Sequence, residues 1–345
     1  VSNFGSDNVT GAHPKVMEAL SAAAAGSATP YGGDDWTARV QDRLREVFEK
    51  PDLLAFPVAT GTAANALALA TVVPPYGSVL CHADAHVHVD ECGAPEMFTG
   101  GAKLVPLAGT DGKLTPQTIQ AAIDHAGVRD VHRVQPAAVT ITQATEAGTV
   151  YSVAEVAAIA ECCRRNGLPL HMDGARFGNA VAALDVPPAE VTWKAGVDML
   201  SFGATKNGCW AAEAVVFFDP ALARDFVYRR KRAGHLFSKM RFVSAQLEAY
   251  LADDLWLANA RHANACARRL AEGLSAACVD LAHPVQANEI FAHLPPATQA
   301  RVKDAGFVVI PWPDLGTDAV RMVCAWNTDM ADVERLIAVV AGRAA

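Results

Sequence analysis

Apolar residues recur along the chain with two alternating spacings. Over 36–50 they fall three and four apart, with Val40, Leu44, Val47 and Phe48 on one face, which predicts an amphipathic helix. Short unbroken apolar runs at 53–59, 78–83, 103–107, 137–142, 168–172, 199–202 and 214–218 predict strands. Helical patterns over 61–73 and 115–126 separate them. Another helix opens at Ser152 and Glu155, a Ser-x-x-Glu capping box, runs to Arg165 and is stopped by Gly167. Strands alternating with helices are the signature of an α/β domain, here with a mostly parallel seven-stranded sheet. Past about Arg230 the pattern changes. Helices over 243–251 and 254–277 lead to strands at 289–293, 307–310 and 320–324 and a last helix over 330–342. This predicts a large domain over 1–230 and a small α+β domain over 231–345, with no internal repeat.

Composition narrows the class. The 345 residues carry 29 Lys and Arg against 37 Asp and Glu, a net charge of −8, which argues against a nucleic-acid groove. Apolar residues make up 51%, but the densest runs (22–25 and 66–73) fall far short of the roughly 20 needed to cross a membrane. Charged residues at 19% and the absence of a low-complexity tail argue against disorder. The eight cysteines form no Cys-x-x-Cys pair, as expected of reduced, mostly buried thiols in a cytoplasmic protein. No basic start with a long apolar stretch is present, so no signal peptide is expected.

Three segments of the large domain carry candidate chemistry. Thr60-Gly61-Thr62-Ala63-Ala64-Asn65 follows a strand and opens a helix, whose free N–H groups and positive dipole end suit a phosphate; an ordinary N-cap would read the same. His171-Met172-Asp173-Gly174-Ala175-Arg176 puts an Asp at a strand's carboxyl end, where α/β proteins place ligands, or merely caps a turn. In Ser201-Phe202-Gly203-Ala204-Thr205-Lys206-Asn207-Gly208 a Lys follows an apolar strand among small residues, as a reactive amine or a snorkelling surface charge. Together they supply what pyridoxal phosphate requires. The lysine bonds its aldehyde, the aspartate keeps its ring nitrogen protonated, and the helix start takes its phosphate. Lys206 comes 33 residues after Asp173, room for one helix and one strand.

With these segments the chain resembles the threonine aldolases, within the aspartate-aminotransferase-like pyridoxal-phosphate enzymes. The resemblance spans nearly the whole chain. It also rests on Ser6-Asp7-Asn8-Val9-Thr10, Tyr31-Gly32-Gly33-Asp34, Ala85-His86, Glu91-Cys92-Gly93 and Val320-Arg321-Met322-Val323. The usual His-Val-Asp-Gly-Ala-Arg differs here only by Met172. The resemblance implies cleavage of β-hydroxy-α-amino acids (L-threonine, L-allo-threonine, L-phenylserine) to glycine and an aldehyde. By motif, Gly61, Thr62, Asp173, Arg176 and Lys206 hold the cofactor, His86 stacks on its ring, and Ser6, Tyr31, Arg176 and Arg321 meet the substrate. Lys231 and Arg241 would reach the phosphate of a neighbouring subunit in a homo-oligomer, a dimer of dimers.

One departure bears on mechanism. Where many relatives carry a His before the Gly of Thr145-Glu146-Ala147-Gly148, this chain has Glu146. Glu146, His86 or a cofactor-held water is then the base for the substrate hydroxyl. Three other readings compete: an aminotransferase or β-elimination lyase using the same Lys and Asp, a non-catalytic ligand-binding protein, and a metal hydrolase built on His82, His86 and His88.

Overall fold

The computed structural model describes residues 2–127 and 129–343. In chain order its strands are β1 (Ser2–Asn3), β2 (Leu54–Val58), β3 (Gly77–His82), β4 (Lys103–Leu107), β5 (Gln135–Thr142), β6 (Leu170–Gly174) and β7 (Met199–Gly203). They continue as β8 (Glu213–Phe217), β9 (Asp280–Leu281), β10 (Glu289–His293), β11 (Phe307–Val308), β12 (Ile310–Pro311) and β13 (Ala319–Val323).

Seven strands form one sheet in the order β2-β8-β7-β6-β5-β3-β4. The neighbours from β4 through β7 pair in parallel, and β8 alone runs against both of its neighbours. This is the mostly parallel sheet expected from the seven apolar runs. Every position of β7 and β8 is buried, which is why they read as continuous apolar segments rather than alternating ones. Successive parallel strands need crossovers, supplied between β2 and β7 by helices Gly61–Val72, Ala94–Thr99, Pro116–Ala126, Val153–Arg165 and Phe177–Leu184.

Side-chain caps set the helix starts. Asp34 Oδ1 accepts from Thr37 N at 2.9 Å and opens helix Asp35–Val47. The expected capping box is reciprocal: Glu155 N donates to Ser152 Oγ at 3.2 Å and Ser152 N to Glu155 Oε2 at 2.7 Å. Helix Gly61–Val72 has no polar face, because every residue from Ala63 to Ala70 is buried. It lies between the sheet and helices Ala94–Thr99 and Phe226–Arg232.

A second, antiparallel sheet has the order β12-β13-β10-β9 and packs on helices Leu255–Ala276 and Met330–Val340. Gly273 sits where a Cβ would collide with Ile337 of the last helix. The single strand expected over 307–310 is divided. Its first half, β11, leaves this sheet to pair in parallel with β1, while β12 stays on β13. Val323 N also donates to Phe4 O at 2.7 Å, so the N-terminal arm is fastened to the small sheet.

The chain passes between two cores inside helix Leu255–Ala276. Trp256 packs with Phe202, Phe177 and Tyr250 under the large sheet, whereas Cys266, Leu270 and Leu274 pack with Ile290, Val320 and Leu336 of the small one. Helix Arg241–Leu251 contributes Val243, Leu247 and Tyr250 to the large core. Among the described residues no helix is long and apolar enough to cross a membrane.

Candidate active site

The carboxyl ends of β5, β6 and β7 open on a cavity of about 330 Å³, the place where parallel sheets bind ligands. Asp173 lies at the end of β6 and is 3% exposed. Lys206 sits in the single turn Thr205–Asn207 that leaves the neighbouring strand β7. Opposite them, Thr60, Gly61 and Thr62 bring the start of helix Gly61–Val72 to the cavity wall. Thr60 Oγ1 takes Ala63 N at 3.2 Å, and the N–H groups of Gly61 and Thr62 have no partner among the described residues. Where a Cβ of Gly61 would stand there is open space, so a ligand can approach the backbone.

A chain of polar contacts runs behind this surface. Asp173 Oδ1 accepts from Ala175 N at 3.0 Å and Oδ2 from Asn65 Nδ2 at 2.7 Å. The same Nδ2 donates to Glu91 Oε1 at 2.8 Å, and His86 Nδ1 lies 2.9 Å from that oxygen. The bond to Glu91 is the main cause that holds the His86 imidazole above the usual histidine range. Glu146 Oε1 accepts from His86 N and from Thr142 Oγ1, both at 2.8 Å, while its buried Oε2 has no partner. Burial pushes the Glu146 carboxyl up to about 7.

Glu213, at the start of β8, is a wall residue that the motifs did not indicate. Its Oε2 accepts from Ala204 N at 3.0 Å, which fastens the turn carrying Lys206, and burial pushes this carboxyl to about 7 as well. The available signal was an acidic residue opening an otherwise apolar run.

Arg176 was expected to grip a substrate carboxylate, but its nitrogens are already engaged. Nε and Nη2 donate to Asp7 at 2.7 and 2.9 Å, and Nη1 lies 3.1 Å from Glu289 Oε2. Burial disfavours the charge, yet Asp7 and Glu289 hold the guanidinium protonated beyond its ordinary range. Arg176 therefore joins the N-terminal arm, β6 and β10.

The cavity wall gathers Gly61, Thr62, His86, Glu146, Asp173, Arg176 and Lys206, and the other expected residues lie apart from it. Ser6 Oγ accepts from Asn8 N at 3.1 Å. Tyr31 is half exposed, with Lys231 Nζ 4.5 Å above its ring. Arg241 Nη2 reaches Gly26 O at 3.4 Å. Arg321 lies 4.7 Å over the Trp312 ring and donates to Gly5 O at 3.1 Å, and its buried Nε has no partner. His171 is sealed within the sheet between Thr140 and Ser201, at 2.8 and 2.9 Å, and burial lowers it to about 4. No group of three or more His, Cys, Asp and Glu among the described residues is arranged to hold a metal ion.

An amine, a carboxylate and a helix N-terminus converging on one cavity match the aldehyde, ring nitrogen and phosphate of pyridoxal phosphate. The chain also resembles known proteins over nearly its whole length. The chain is 49% identical over 338 residues to the low-specificity L-threonine aldolase of Pseudomonas aeruginosa, covering 96% of this chain and 95% of that one. A solved structure of Leishmania major threonine aldolase superposes with a TM-score of 0.93 at 29% identity, covering 99% of this chain and 98% of that one. Aspartate aminotransferase of Thermus thermophilus shares the fold at 17% identity and a TM-score of 0.72, over 99% of this chain and 91% of that one. The beta-eliminating lyase family matches residues 3–296, and this chain belongs to that family.

Proposed function

We infer that this chain is a pyridoxal-phosphate-dependent L-threonine aldolase, a carbon–carbon lyase that cleaves β-hydroxy-α-amino acids to glycine and an aldehyde. The observation that carries this reading is the meeting of Lys206, Asp173 and the start of helix Gly61–Val72 in one cavity. When bound, the cofactor supplies an electron-withdrawing ring that accepts the electron pair of the broken Cα–Cβ bond. The chain's residues do the rest. Lys206 would hold the cofactor covalently through its amine. Asp173 would keep a proton on the ring nitrogen. Gly61 and Thr62 would offer N–H groups to the phosphate, and His86 would lie against the ring. Arg321, outside the cavity wall, is our candidate for the substrate carboxylate, since its Nε is unpartnered whereas the Arg176 nitrogens are engaged. Ser6 and Tyr31 do not line this cavity, and Tyr31, lying under Lys231, would serve a neighbouring subunit's substrate with it. Glu146 accepts the β-hydroxyl proton on Oε2, because Oε1 is already bonded to two donors.

Lys231 and Arg241 lie outside this cavity, and we place them across a subunit boundary toward a neighbour's phosphate, in a homo-oligomer working in the cytoplasm. The test of the main reading is a panel of L-threonine, L-allo-threonine and L-phenylserine with glycine and aldehyde measured together. Release of both from at least one substrate is expected, and release of glycine from none of them sinks the reading.

A further inference from the structure

Three hydrogen bonds connect four side chains from the end of β6 to the ring of His86. Asp173 Oδ2 accepts from Asn65 Nδ2 at 2.7 Å, Glu91 Oε1 accepts from the same nitrogen at 2.8 Å, and His86 Nδ1 lies 2.9 Å from Glu91 Oε1. An amide NH₂ has two hydrogens and no acceptor capacity, so Asn65 gives one hydrogen to each carboxylate. Asn65 and Glu91 are 2% and 3% exposed. Asn65 Oδ1 and Glu91 Oε2 are left buried without partners. Each such atom costs about 1–3 kcal/mol, so packing alone would favour apolar residues here. Immediately after Glu91, Cys92 (φ 50°) and Gly93 (φ 72°) both adopt left-handed backbone, a costly conformation for Cys92, and so turn the chain beside the site.

We propose that Glu91 is the positioning residue of His86 and that Asn65 couples it to Asp173. This rests on the aldolase reading of the same site and adds two residues to it. Glu91 Oε1 accepts a hydrogen bond from Nδ1–H, which leaves Nε2 as the ring nitrogen that can exchange a proton with a bound molecule. The carboxylate orients the ring and favours its protonated form, as an aspartate does for the histidine of a Ser-His-Asp triad. The charged groups acting on His86 are Glu91, Asp173 and Lys206, with Glu146 on its backbone N–H. Two carboxylates bound by one amide respond to each other's charge. A proton held against Asp173 by a bound ring is therefore felt at Glu91.

The experiment is a nuclear magnetic resonance titration of histidine-labelled holoenzyme, with His86 assigned by its loss in His86→Asn. Glu91→Gln keeps size and removes charge. Its His86 midpoint is expected to fall by about one pH unit or more, with the pH profile of kcat/KM moving in step. Asn65→Ala is expected to change the cofactor's absorption while leaving the cofactor bound. A Glu91→Gln holoenzyme with an unchanged His86 midpoint and an unchanged pH profile overturns the proposal. Should that variant fail to hold cofactor, Glu91→Gln is made again in His86→Asn. Non-additive losses of kcat/KM then support the coupling, and fully additive ones overturn it. Absence of glycine release by the wild type would sink the aldolase reading, while the His86 titration still decides the role of Glu91.

Discussion

Arg176 and Asp7, 169 residues apart, meet in two parallel hydrogen bonds of 2.7 and 2.9 Å beneath the active-site wall. The pair fastens the N-terminal arm to the end of β6, and Asn288 Nδ2 adds a contact to Asp7 at 3.2 Å. Asp7→Asn strips the charge and leaves a buried guanidinium with only Glu289. An unfolding free-energy loss of about 3–5 kcal/mol is expected, read from the urea midpoint. Burial opposes the Asp7 charge, but Arg176, Lys206 and Asn288 hold its carboxyl below the usual 3.8. Its contribution to stability is therefore complete above that value and is lost as pH falls through the lower folded pKa.

Lys206 is the residue whose loss should abolish covalent attachment of the cofactor. Lys206→Ala is expected to bind pyridoxal phosphate without the visible band of the wild type and to resist trapping by borohydride. A wild-type band in the variant would assign the attachment to another lysine.

Glu146 has one oxygen fixed by Thr142 and the His86 N–H and the other free. Glu146→Gln preserves those two bonds but cannot take a proton. A fall in kcat for L-threonine of about 10²–10⁴-fold is expected. A base must be ionised, so wild-type activity should rise as pH passes about 7, and that limb should vanish in the variant. A variant that keeps both rate and limb shows that the hydroxyl proton goes elsewhere.

The same burial predicts a stability effect without cofactor. Folded Glu146 and Glu213 hold their protons to about 7, whereas the unfolded carboxyls release theirs near 4.5. Between those values the folded protein binds more protons, so stability falls as pH rises through that window. Glu146→Gln with Glu213→Gln should flatten the fall, measured as thermal midpoints of apoprotein across pH.

The large core depends on aromatic rings packed edge-to-face and tilted. Phe202 lies 5.7 Å from Trp256 and 6.1 Å from each of Phe48, Phe177 and Tyr250 between ring centroids. Phe202→Ala should cost about 3–5 kcal/mol in unfolding free energy. Because β7 carries the turn of Lys206, the variant should also hold cofactor more weakly, which a titration with pyridoxal phosphate measures.

Much of the fold was legible in local patterns. Strands β3 and β6 to β8 declared themselves as apolar runs because both faces of the sheet are covered there, and the Ser152 box announced its helix through two side chains. The division of 307–310 between two sheets was not legible, because pairing with β1 depends on a segment at the other end of the chain. Nor was the passage of helix Leu255–Ala276 from one core to the other, since an apolar stripe does not say what it faces.

The site divides along the same line. The sequence by itself determined the α/β class, the strand-end positions of Asp173 and Lys206 and the helix start at Gly61, because each depends on neighbours a few residues away. Tertiary structure alone decided that Arg176 is engaged by Asp7 and Glu289, that Glu213 fastens the lysine turn, and that Asn65 joins Asp173 to Glu91. Arg176–Asp7 and Asn65–Asp173 join segments more than 100 residues apart, and Glu213 reaches back nine residues to the turn between two paired strands. Their energies come from the exclusion of water around charges, a property that exists only once the layers have closed.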